Sequence, residues 1–166
     1  MKNLLILLLV FSVSLPLIAQ EKSRKERKAE REAQKAEKVS KLLDSKEFVF
    51  NATHALPMGG GSIYLTSSFD LKISGDSVYA YLPFYGVAYQ AEYGGRNGGF
   101  EFQEPIKEYS VESIKSRKQI IFKVKTQKDT YNMVLSVSNS GNADLHVNSV
   151  KRQSIRFNGT VDAISE

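Results

Sequence analysis

From Glu47 onward, apolar residues recur at every second position, and a chain with that period buries them only by forming strands. Phe48, Phe50 and Ala52 alternate with Glu47, Val49 and Asn51. Phe69, Leu71 and Ile73 alternate with Asp70, Lys72 and Ser74. Gly75-Asp76 is a turn, and Val78, Ala80 and Leu82 follow against Tyr79 and Tyr81, which makes a hairpin. Tyr109 and Val111 come next, then Ile120, Phe122 and Val124, then Tyr131, Met133, Leu135 and Val137. A turn at Asn139–Asn142 leads to Leu145 and Val147, and Ile155 and Phe157 close the pattern near Gly159. Short strands at roughly ten-residue spacing with polar turns describe an antiparallel meander. The fold class is therefore mainly β: a curved sheet, a small barrel or a sandwich, with one charged α-helix before it. Periodicity does not choose among the three.

The residues before Glu47 differ in kind. Met1 to Ala19 has a short basic start and an apolar run from Leu4 to Leu17, the layout of a signal peptide cleaved after Ala19. Residues 20–46 are rich in Lys, Arg, Glu, Ala and Gln without Gly or Pro, and form a charged helical lead-in. Ala29, Ala33, Ala36, Val39, Leu42 and Leu43 are its apolar residues, so its last turns dock on the body. Residues 47–166 are the β domain. An exported chain with no cysteine has no disulfides and is stabilised by burial alone. The expected location is periplasmic or secreted.

The net charge of +5 does not describe the body. Residues 21–41 carry nine Lys/Arg against five Asp/Glu, whereas residues 42–166 carry thirteen of each. A nucleic-acid partner needs a basic face on the folded domain, and none is expected. The basic lead-in, helix 20–46, is instead a candidate for peripheral contact with a membrane.

Catalytic chemistry is poorly provided for. The chain has no Cys and no Gly-x-Ser-x-Gly elbow, and its two histidines, His54 and His146, sit in strand patterns far apart. Met58-Gly59-Gly60-Gly61-Ser62 lacks the Lys-Ser/Thr and helix of a phosphate loop and reads as a turn. Neither a metal nor a cofactor is expected. Glu92, Glu101, Glu104 and Glu108 leave a carboxylate-dependent hydrolase as one alternative.

One stretch stands apart. Residues 81–100 concentrate aromatic residues and glycine, with Tyr81, Phe84, Tyr85, Tyr89 and Tyr93, and with Arg96 as the only charge in the Gly-Gly-Arg-Asn-Gly-Gly segment. A ring with a hydroxyl suits wet contacts, so these six residues are the candidate ligand-binding set. The partner would be a small ligand, a glycan or an envelope protein. The other reading is a structural or envelope-assembly protein whose aromatic loop only caps the core.

Phe48-Val49-Phe50, Leu56 to Gly61, Leu71 to Asp76, Leu82 to Tyr89, Tyr93-Gly94-Gly95 and the close from Arg152 to Gly159 resemble an exported Bacteroidetes family catalogued as domain of unknown function 4251. The likeness covers about residues 40–160. It implies a periplasmic or secreted bacterial protein and brings no activity with it. The functional expectation is a non-enzymatic exported binding module that uses the 81–100 loop.

Overall fold

The computed structural model describes residues 24–90 and 98–164. The chain forms two compact units, Met1–Arg31 and Glu32–Glu166, and the helix α1 (Arg24–Asp44) runs through the boundary. In the first unit the described part is the start of α1. The expected signal peptide lies outside the described residues.

The second unit is a closed eight-stranded antiparallel barrel. Its strands are β1 (Glu47–Pro57), β2 (Ile63–Ser74), β3 (Ser77–Leu82), β4 (Phe100–Ile114), β5 (Arg117–Lys125), β6 (Thr130–Ser138), β7 (Asn142–Ser149) and β8 (Ile155–Ala163). Each strand pairs with its sequence neighbours, and β8 pairs back onto β1 from Phe48↔Ala163 to Pro57↔Ile155. Closure leaves no outer strand of the sheet unpaired along its whole length.

The alternating residues fill the interior. Phe48, Phe50, Phe122 and Phe157 are fully enclosed, with Leu71, Ile73, Ile120, Met133 and Leu135 between them. Each such side chain contributes about 1.5–3 kcal/mol of burial free energy, and no disulfide assists. At one place the walls approach too closely for a side chain. A Cβ on Gly159 would stand 1.9 Å from the Asn51 carbonyl oxygen and 3.0 Å from the Phe50 ring.

Two strands are irregular. Between the pairs Ala52↔Phe69 and His54↔Tyr64, β1 advances two residues while β2 advances five, so the β1–β2 hairpin bends away at its tip. In β4, Phe100 to Pro105 pair with β3, and Ile106 to Ile114 pair with β5. No residue of β4 has strand partners on both sides. The Ile106 amide donates to Asp76, on the β3 side. Amides alternate in direction, so Pro105 aims its missing N–H at the side where no strand lies.

The end of α1 is seated against the barrel. Leu43 is buried, and Val39 and Leu42 pack on the core. Asp44 accepts a hydrogen bond from Lys118 at 2.7 Å. Lys46 then adopts a left-handed conformation (φ 55°), and its carbonyl accepts the Gly75 amide at 3.0 Å. The sequence pattern extends the helix to Lys46, two residues past its last helical residue, Asp44.

Candidate functional site

The aromatic stretch lies at the barrel end that carries the β3–β4, β5–β6 and β7–β8 connections. Pro83 ends β3, and the next residues separate by side chain. Phe84 is half-buried against the core and meets Phe100 edge-on at 5.7 Å. Phe100 meets Tyr131 edge-on at 5.4 Å, and Tyr131 stacks on Phe102 at 5.1 Å. Four rings therefore close this end of the core, each contact adding about 0.5–1.5 kcal/mol beyond its burial.

Tyr85 and Tyr89 point away from that stack, 36% and 65% exposed. Tyr81, on the outer face of β3, is 50% exposed and stacks on Phe69 at 5.4 Å. Among the described residues, the exposed tyrosines are Tyr64, Tyr79, Tyr81, Tyr85 and Tyr89, which all fall between β2 and the loop after β3. Tyr93 and Arg96 lie outside the described residues.

The segment carrying the exposed rings is held by its backbone. The Tyr89 amide donates to the Lys151 carbonyl at 2.8 Å, and the Gln153 amide donates to the Val87 carbonyl at 3.0 Å. The Gln153 side-chain oxygen accepts the Val87 amide at 3.1 Å, and Ala88 pairs with Arg152 as an isolated bridge. These bonds fix the main chain while Tyr89 stays largely in solvent and Tyr85 partly so.

Sequence reasoning missed the residue at the centre of this arrangement. Arg152 is 9% exposed, and its guanidinium donates to the carbonyls of Gly98 and Gly99 at 2.5 and 3.3 Å. It also lies over the rings of Phe84 and Phe100, at 5.4 and 5.7 Å. One cation thus ties the two ends of the 83–99 loop to the β7–β8 connection. Its own backbone is fixed in turn. The Ser149 hydroxyl accepts the amides of Lys151 and Arg152, both at 3.0 Å, and donates to the buried Asp129 carboxylate. Asp129 also accepts the Thr130 amide at 2.7 Å. Nothing local in the sequence marks Arg152 or Asp129 as buried, because each partner comes from a distant connection.

The candidate acid–base groups do not converge. Glu101 is paired with Tyr81 on the outer face, whereas Glu104 is paired with Val78, whose side chain faces the core. Glu108 accepts a bond from Lys123 at 2.8 Å, and Glu92 lies outside the described residues. His54 packs edge-on to Tyr64 at 5.3 Å, while His146 lies opposite Arg156 on the β7–β8 ladder. Burial and the Arg156 charge lower the His146 pKa below its ordinary value. Among the described residues, no three His, Asp or Glu side chains gather as a metal site needs.

A family profile described as "Domain of unknown function (DUF4251)" matches residues 30–161. The chain belongs to the DUF4251 family. The crystal structure of a DUF4251 protein from Bacteroides eggerthii, solved at 1.95 Å, is similar in fold, with a TM-score of 0.62 and 16% identity. The match covers 79% of this chain and 89% of that one. No curated protein matches the chain. The profile spans the whole of the 83–99 loop and the Arg152 segment, so the site described above lies within the DUF4251 domain.

Proposed function

We propose that this DUF4251 domain is an exported, non-enzymatic binding module that contacts an envelope glycan through the exposed tyrosines at the 81–89 end of the barrel. The observation that carries this reading is the division of labour within one short segment. Phe84 and the backbone of residues 87–89 are fixed by Arg152, Lys151 and Gln153, yet the Tyr89 ring is left largely in water and Tyr85 is about one-third exposed beside it. Holding a segment rigid while exposing its aromatic rings lowers the ordering cost of contact and supplies flat faces with hydroxyls.

The test uses the intrinsic tyrosine fluorescence of a chain that has no tryptophan. Peptidoglycan fragments and a panel of bacterial surface glycans are titrated against the protein and a Tyr85→Ala/Tyr89→Ala variant. The expected result is saturable binding by the parent and none by the variant, with thermal unfolding unchanged. Failure of every glycan to bind would overturn the reading.

A second reading, a structural envelope protein with a capping loop, is favoured by the Phe84–Phe100–Tyr131–Phe102 ring stack. It predicts that Phe84→Ala lowers the unfolding temperature and that no glycan binds to either protein.

A further inference from the structure

We propose that one face of α1 is a docking surface for an anionic lipid membrane. This goes beyond the glycan-binding reading and uses a different surface. Within Met1–Arg31, Arg24, Arg27, Lys28 and Arg31 are spaced i, i+3, i+4 and i+7, so they share one side of the helix, and all four are exposed. At about 100° per residue they occupy an arc of about 100°, while Glu26 and Glu30 fall opposite. Residues 24–31 hold five basic side chains against two acidic ones, and neither acid enters the basic arc. The helical pattern thus segregates charge instead of mixing it.

The occupant follows from charge. From Arg24 to Arg31 the arc runs for about 10 Å, little more than one Debye length at physiological salt, so its charges act together on a facing anionic plane. A nucleic-acid partner would require the basic surface to continue over the folded body, and residues 42–166 are charge-balanced. Between Arg24 and Arg31 no bulky apolar side chain lies on this face, so attachment is electrostatic and reversible. The cavity of about 440 Å³ bounded by Glu32, Lys35, Ser116 and Ser138–Ser140 carries one charge of each sign and adds no preference for anions.

The experiment is co-sedimentation of the full chain with vesicles of phosphatidylcholine alone or mixed with phosphatidylglycerol, at low and raised salt. Neutral vesicles register any attachment that does not depend on charge, so the readout is the surplus on the anionic ones. That surplus is expected to vanish at raised salt. It should weaken about fivefold per charge removed, hence about a hundredfold in the Arg24→Gln/Arg27→Gln/Arg31→Gln variant. The corresponding triple Arg→Lys variant should retain it, and helicity should be unchanged in both. Equal binding to neutral vesicles, an unaffected Gln variant, or tighter binding to duplex DNA than to the anionic vesicles would each overturn the proposal.

Discussion

The guanidinium of Arg152 lies over the Phe84 ring at 5.4 Å while donating to the Gly98 carbonyl, so one side chain joins the outgoing and returning ends of the β3–β4 loop. Replacing Arg152 by Ala leaves these carbonyls without their charged donor and removes both ring contacts. The expected loss is roughly 2–4 kcal/mol of stability, read by urea unfolding. Arg152→Lys should recover only part of it, because an ammonium lacks the planar guanidinium that lies over the Phe84 and Phe100 rings. A stability unchanged in both variants would mean that the loop is held by its backbone bonds alone.

Gly159 faces the Asn51 carbonyl across the β1–β8 closure. A methyl group at 1.9 Å from a backbone oxygen cannot be accommodated by a rotamer change, since the strand itself must move. Gly159→Ala should cost about 3 kcal/mol or more. The loss should appear in the amide protection of β1 and β8 before that of β5 and β6. Native-like protection of β1 would refute it.

The Tyr109 hydroxyl is buried with no hydrogen-bond partner among the described residues. Burial, and then the nearby Asp44 charge, raise its pKa above the ordinary value, so the ring remains neutral. Tyr109→Phe removes an unsatisfied polar atom and retains the ring beneath the Lys46 ammonium, which sits 4.7 Å from its centroid. The variant should be as stable as the parent or more stable by about 1 kcal/mol. A clear fall in unfolding temperature would show that the hydroxyl has a partner.

His146 gives the fold a pH dependence of defined sign. Burial and then Arg156 lower its pKa, so the folded state resists protonation more than the unfolded chain does. Its contribution is fully present above the unfolded value of about 6.5. It declines as pH falls below that value, until the folded group itself titrates. His146→Gln should flatten the stability profile through this window. An unchanged slope would assign the dependence to other groups.

Residues before Val39 offer the barrel little apolar surface, whereas Val39, Leu42 and Leu43 pack on the core. A chain lacking residues 20–38 should therefore keep a cooperative unfolding transition, followed by far-ultraviolet circular dichroism. Leu43→Ala in the full chain should instead cost about 2–4 kcal/mol. Loss of the sharp transition in the truncated chain would reverse this assignment.

What could be read in advance divides by distance along the chain. The β2–β3 hairpin was legible because its signals are local: alternation on both sides of Gly75-Asp76, with Ser74 opposite Ser77. Barrel closure was not, because Phe50 and Val161 lie opposite each other across most of the chain, and alternation looks alike in sheet and barrel. The prominence of the 81–100 stretch was legible from composition. Its division was not: Phe84 turns to the core and Tyr85 is partly exposed although they are adjacent, and the guanidinium that covers Phe84 comes from Arg152, a distant residue. Val111 belongs to the apolar alternation yet is 43% exposed, because its part of β4 lacks a strand on the β3 side.

That change of partner within β4 bears on how the barrel breathes. Every other strand is zipped to two neighbours over a shared span, whereas β4 hands over from β3 to β5 at Pro105–Ile106. The wall there is a splice. The covalent chain carries the load from one half-ladder to the next, and either half can fray without disturbing the other. Transient opening should begin at this splice, letting water in along β4 while the β1–β8 seam stays shut.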